Sequence, residues 1–282
     1  MLRNYLNLTI RNLKSNKGYF IINLLGLTIG ITSFILISLW IKAETSYDKF
    51  HKNARNIYRV DYLLYEEGIL EQHSASGSGA VGKEIKNAFP EVAEYTRFSR
   101  SESLVKYEDK TFKERNILYA QSSFFDLFSF PLIDGKPDSS ILAINHAVIT
   151  EKTARKYFGT ENPIGKMITI DGANDFEVAG IVKSIPGNTH FKFDILLSYE
   201  NLIKSSRSWD NSWVSERVYS YILLTPGADA KAYAPRKPNL GIWCVIIQKK
   251  TPCTSSCRII VPIIAISNRI TYVKAGICGS KA

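Results

Sequence analysis

Residues 19–41, YFIINLLGLTIGITSFILISLWI, carry no charged side chain, and no other stretch constrains the chain as strongly. Coiled as an α-helix at about 1.5 Å per residue, this run is about 34 Å long, enough to cross a hydrocarbon layer about 30 Å thick. A helix satisfies its backbone amides internally, as lipid demands. A cleaved signal peptide would have a shorter apolar core followed by small residues, whereas Trp40, Ile41 and Lys42 follow here. The run therefore predicts a retained transmembrane helix. Gly26 and Gly30 make a small-xxx-small pair of the kind that lets a second helix approach closely.

The flanks orient the span. Arg3, Arg11, Lys14 and Lys17 precede it, and the first acidic residue is Glu44. A basic excess marks the cytoplasmic side, so the amino terminus is expected inside and the rest of the chain outside. Leu2, Leu6, Ile10 and Leu13 recur at helical spacing, opposed by Arg3, Asn7, Arg11 and Lys14. Residues 1–18 thus read as a basic amphipathic segment lying in the cytoplasmic interface of the bilayer, or docking a cytoplasmic partner.

The net charge of +10 invites a nucleic-acid reading until its distribution is considered. From Lys231 onward there are nine Lys or Arg and no Asp or Glu, while the first 230 residues hold 27 basic and 26 acidic groups. The external part is nearly neutral and offers no footprint for a phosphate backbone.

After the span, Tyr58, Val60, Tyr62 and Leu64 alternate and predict a strand from about Ile57 to Tyr65. Ser74 to Gly79 reads as a polar loop leading into a helix with Val81, Ile85, Ala88 and Phe89, which Pro90 ends. Strands are expected at Glu94 to Arg100, Leu104 to Tyr107 and Thr111 to Tyr119, with a turn at Glu108-Asp109-Lys110. Phe124, Phe125, Leu127, Phe128, Phe130 and Leu132 form a cluster that is either core or an exposed contact patch. Val148 to Thr150 should enter a helix at Glu151 that Gly159 terminates. Asp171-Gly172 should turn Met167 to Ile170 onto Phe176 to Val182. Alternation of Phe191, Phe193, Ile195 and Leu197 predicts a strand within His190 to Tyr199, and another runs from Val218 to Leu224. The fold class expected is α+β: one amino-terminal transmembrane helix at 19–41, then a mixed α/β extracytoplasmic domain at 42–230 with mainly antiparallel strands.

Residues 231–282 differ in kind. They lack acids and hold all four cysteines, Cys244, Cys253, Cys257 and Cys278. No CxxC pair and no nearby His makes a zinc site of them. This atypical basic tail is expected not to fold, and a reading-frame change or truncation near residues 231–235 would explain its composition.

Catalytic signatures are missing. GTENPIGK at 159–166 imitates a phosphate-binding loop, but five residues separate Gly159 from Gly165 and Met167 stands where Ser or Thr would hold magnesium. His51, His73, His146 and His190 are scattered, and only Asp48 and His51 are close along the chain. SGSG at 76–79 has no strand before it, and GxSxG does not occur. The expectation is no enzyme activity, no catalytic, cofactor-binding or metal-ligating residue, and no cofactor.

Four blocks resemble the extracytoplasmic core of MacB-like ABC transporter permeases, the FtsX-like group. They are the segment from Asn7 to Gly30 leading into the span, SYDKFHKNARNIYRV at 46–60, YAQSSFFDLFSFPLIDG at 119–135, and VITEKTARKYFG with NPIGKMITIDG and FEVAGIVKSIPGNTHFKFDILLS across 148–198. The resemblance implies a permease subunit in a bacterial inner membrane, with its main domain in the periplasm. A separate cytoplasmic ABC ATPase would hydrolyse ATP, and a second permease protomer and a periplasmic or outer-membrane partner would complete the assembly. Such permeases carry further spans after the external domain, and none is seen here. The alternative is a single-pass, membrane-anchored periplasmic binding or sensor module.

Overall fold

The computed structural model describes residues 11, 15–66, 69–135, 139–205, 210, 217–228, 243–248, 258–266 and 269–272. Most of the amphipathic segment at 1–18 lies outside them. The chain divides into two units, residues 1–47 and 48–282.

The first unit is helix α1, Lys17–Thr45, which runs past the apolar stretch at both ends and contains no buried residue. Its Ile, Leu and Phe side chains are exposed on every side, as expected of a helix whose solvent is lipid. The last turn is closed locally: Ser46 N–H donates to the carbonyls of Lys42 and Ala43, and Ser46 Oγ donates to Ala43 O at 2.7 Å.

The second unit is built on a sheet. Strand β1, Ile57–Glu66, pairs with the later strand β10, Val218–Leu224, which pairs in turn with β3, Val92–Tyr107. Tyr58, Val60 and Tyr62 turn to one face and pack with Ile222, Leu224 and helix α2, Val81–Ala88, confirming the predicted alternation. β2, Ile69–Ser74, returns along β1. The two strands expected at Glu94 to Arg100 and Leu104 to Tyr107 are one continuous β3, whose register with its neighbour shifts between Ser101 and Ser103.

β3 also enters a closed ring. It pairs with β4, Lys110–Ala120, across the Glu108-Asp109 turn; β4 pairs with β9, Ile195–Ser198; β9 with β6, His146–Thr150; and β6 with β8, Asn174–Val182. β7, Met167–Ile170, then joins β8 back to β3 at Val105 and Lys106. β5, Leu132–Asp134, edges β8. Among the described residues only β4–β9 and β6–β8 are parallel pairs, so the strands are mainly antiparallel. Inside the ring lie Val105, Ile117, Ile149, Ile168, Ile170, Phe176, Val178, Ile195 and Leu197, with helix α4, Glu151–Phe158, contributing Tyr157 and Phe158. The opposite faces of the same strands supply Leu118, Val148, Val182 and Leu196 to a second core. Strands buried on both faces read as unbroken apolar runs, which is why HAVIT and ILLS show no alternation.

The second core holds the aromatic cluster. Short helix α3, Phe124–Leu127, places Phe124, Leu127, Phe128 and Phe130 against Phe98, Phe191 and Phe193, all buried. Ring contacts such as Phe128–Phe191, 4.4 Å between centroids and edge to face, add about 0.5–1.5 kcal/mol each beyond burial. The cluster is therefore core and not an external patch. Phe191 and Phe193 precede β9, which begins only at Ile195, and the chain after it turns into helix α5, Tyr199–Ser205.

Two further expectations change. Ser74 to Gly79 is not a solvated loop: Gly77 bridges to Val218, Ser78 is buried, and Tyr62 Oη donates to Ser78 O at 3.0 Å. Residues 231–282, expected not to fold, carry β11, Trp243–Gln248, β12, Arg258–Ile266, and β13, Arg269–Tyr272, extending the sheet beyond β1. Their Ile and Val content suits strands, and β1 has a free edge that offers them a ladder.

A Cβ on Gly77 would meet the Tyr62 ring at 2.3 Å, and that ring is held by its own hydrogen bond. Gly77→Ala is expected to destabilise the second unit by about 1–3 kcal/mol through overpacking, measured by chemical denaturation. Gly187→Ala, where nothing lies within 4 Å, serves as its neutral control.

Candidate functional site

The polar groups that stand out lie where the chain leaves α1 and enters the second unit. Asp48 is the third residue past Thr45 and has φ of 55°. That left-handed conformation, tolerated by Asp, turns its carboxylate onto the segment 188–190. Asp48 N–H donates to Asn188 O at 3.0 Å, and its carboxylate accepts from Thr189 Oγ1 at 2.6 Å, His190 N at 3.2 Å and His190 Nδ1 at 2.6 Å. The other ring nitrogen, His190 Nε2, lies 2.8 Å from Tyr221 Oη on β10. The imidazole thus bridges the Asp48 carboxylate and the Tyr221 hydroxyl.

Tyr221 stands directly across from Arg59 in the β1–β10 register, near enough for the guanidinium and the phenol to act on each other electrostatically. Arg59 also grips Asp61 with both prongs, at 2.5 and 2.9 Å, and His73 Nε2 lies 3.2 Å from the same carboxylate. Asp61 is fully buried, so this fork is what makes its charge tolerable. A continuous polar chain thus runs Asp48, His190, Tyr221, Arg59, Asp61, His73 through an otherwise apolar region.

The electrostatics follow. Burial raises the Asp48 carboxyl, but the hydrogen bond and charge of His190, with Thr189 and the His190 amide, outweigh it and hold the group down at about 2. Burial pushes the Tyr221 phenol up, with Asp48 and Asp61 acting the same way against Arg59. For Arg59, burial works against the charge, and Asp61 and Tyr221 more than restore it.

His51 is a different object. It is 4% exposed, its Nδ1 accepts from Ser129 N–H at 3.1 Å, and the rings of Phe50, Phe128 and Phe130 surround it. Burial is the main reason its imidazole is lowered to about 4. The acid and imidazole that are neighbours in sequence therefore do not pair: Asp48 bonds His190, 142 positions away. Nothing local in the sequence marks that pair.

Arg97 was also invisible as anything but a strand charge. It is 2% exposed, donates to Gly79 O and to Asp210 Oδ1, both at 2.5 Å, and lies over the Tyr199 ring at 4.8 Å. The phosphate-loop imitation is structural. Gly159 caps α4 with φ of 66°, Gly165 has φ of 79° and donates to Val178 O, and Lys166 pairs with Glu161. Among the described residues no three His, Cys, Asp or Glu side chains converge as metal ligands.

An apolar helix followed by a ringed sheet with a polar chain at its entrance defines a membrane-anchored α+β domain. The sequence matches the MacB-like periplasmic core domain over residues 20–236, and the chain belongs to that family, the periplasmic core of ABC transporter permeases. A domain described as that of a permease protein from Porphyromonas gingivalis superposes with a TM-score of 0.56 at 25% identity, covering 64% of this chain and 78% of that one. The periplasmic region of MacB from Actinobacillus actinomycetemcomitans is similar at a TM-score of 0.47 and 14% identity, covering 63% and 80%. The extracellular domain of the noncanonic ABC-type transporter YknZ from Gram-positive bacteria gives 0.44 and 17%, covering 61% and 85%. No curated protein matches the sequence.

The two displaced groups give separate pH signatures. His51 is lowered from 6.5 to about 4, so the folded state resists its protonation. The stability this leaves is present above 6.5 and is lost, by about 3 kcal/mol, as pH falls toward 4. Asp48 is lowered from 3.8 to about 2, so its contribution is present above 3.8 and is lost, by about 2 kcal/mol, as pH falls toward 2. Urea denaturation across pH should show His51→Asn, which keeps an acceptor for Ser129 N–H, flattening the upper window only. Asp48→Asn should flatten the lower window and, by removing a charge that favours protonated His51, deepen the upper one.

Proposed function

We propose that this chain is a permease subunit of an ABC transporter and has no hydrolytic activity of its own. A separate cytoplasmic ATPase supplies the energy, a second permease protomer completes the pair, and movement of α1 is passed to the periplasmic domain for export or mechanotransmission. The observation that carries this reading is the family match running from within the apolar helix through the sheet without interruption. The Asp48 linkage supports it, since a residue three positions past the helix is tied by side-chain bonds to the segment before β9 and, through His190, to β10. In this reading the amino terminus is cytoplasmic in a bacterial inner membrane and the second unit is periplasmic.

Topology is the test, because a cytoplasmic second unit would remove the basis for the proposal. With the four native cysteines changed to Ser, a Cys at Asp109, exposed at the β3–β4 turn, should react with a membrane-impermeant thiol reagent in cells whose outer barrier is opened. A Cys at Ser15 should react only after the inner membrane is broken. Labelling of residue 15 with protection of residue 109 sinks the reading. Magnesium-dependent ATP hydrolysis by the purified full chain, lost in a Lys166→Ala variant, would contradict the assignment of catalysis to another subunit.

A further inference from the structure

One edge of β3 changes partners. β10 covers it as far as Ser99, and β7 takes it up again at Val105. Where β10 lets go, among the described residues, a cleft of about 480 Å³ opens, lined by Arg100 and Arg217 together with Ser76, Ser101, Tyr119 and Tyr219. Arg217 immediately precedes Val218, whose register partner is Ser99, so the antiparallel ladder sets Arg217 beside Arg100.

Like charges opposed on neighbouring strands repel. Among the described residues the arginine ion pairs engage Arg59, Arg97 and Arg155, not these two, and the cleft is lined by no carboxylate. Arg100 is held in place by lying over the Tyr219 ring at 5.3 Å, and Ser99 Oγ fixes Arg217 by donating to its carbonyl at 3.1 Å. The result is a positive concavity rich in N–H and O–H donors.

We infer that this cleft binds an organic phosphate, through two arginine forks and the surrounding hydroxyls. A guanidinium matches phosphate oxygens two at a time, and two of them suit a tetrahedral, doubly charged group better than a single carboxylate. The cleft has room for more than the anion, and Leu202 with the Tyr119 and Tyr219 rings offers apolar surface to the carbon skeleton. This inference is independent of the permease reading.

The test is calorimetry on the full chain in a neutral maltoside detergent at low salt, titrated with glycerol phosphate and, separately, with a soluble short-chain phosphatidylglycerol. Saturable binding of either is expected. Binding of glycerol phosphate identifies a free phosphate ester as sufficient, and binding of the lipid alone identifies a headgroup. In either arm Arg100→Gln and Arg217→Gln should each weaken binding about tenfold, the loss of one charge-assisted contact. Arg115→Gln, an exposed arginine on β4 that does not line the cleft, should leave it unchanged. Thermal midpoints of the two cleft variants should equal or exceed the parent's, because a repulsion is relieved. Absence of saturable binding in both arms overturns the inference. So does parental affinity in Arg100→Gln and Arg217→Gln, or an equal loss in Arg115→Gln.

Discussion

The second unit depends on β3 changing partners along its length. A strand of sixteen residues, Val92–Tyr107, exposes more backbone donors and acceptors than one neighbour can satisfy. One edge is matched by β4, and the other is divided between β10 and β7. The first half of β3 thereby belongs to the open sheet with β1, and the second half closes the ring. The register between β3 and β4 shifts at Ser101–Ser103, where β4 carries one extra residue and the pair bends and twists, and this falls at the change between the two. Removing that continuity would leave two small sheets, each with an apolar face to cover.

Around this strand the cores segregate by side-chain parity. Ile117 and Leu118, or Ile195 and Leu196, are sequence neighbours that serve different cores. A register slip of one residue would exchange the two sets, so the ring and the aromatic cluster specify each other. The polar chain from Asp48 to His73 runs along the margin of this packing. Its members lie within hydrogen-bond distance of one another at Asp48–His190, His190–Tyr221, Arg59–Asp61 and Asp61–His73, which is the condition for burying them without large cost.

Local chemistry was legible in the sequence. Alternation located β1, Glu151 and Gly159 bounded α4, and Asp171-Gly172, both at positive φ, turned β7 onto β8. The span was legible too, because lipid imposes a length and a composition. Ring closure was not: it rests on two residue pairs between β7 and β3 that no periodicity encodes. Composition misread Ser76–Gly79 as solvated, when the glycine is there to let Tyr62 approach, and misread the tail by weighing its charge above its Ile and Val content. For the site, Asp48 and the histidines were visible as residues, but pairing across 142 positions is a property of the fold alone.

The way Asp48 is held has a mechanical consequence. Nine positions separate it from Ile57, where β1 begins, so tension applied along the chain from α1 reaches Asp48 before it reaches the β1–β10 ladder. The Asp48 amide and carboxylate meet Asn188, Thr189 and His190 at one point. Bonds clustered on a single residue share the load and give way together, unlike a ladder end that opens one pair at a time. Under such tension the bonds on Asp48 are loaded before the sheet is.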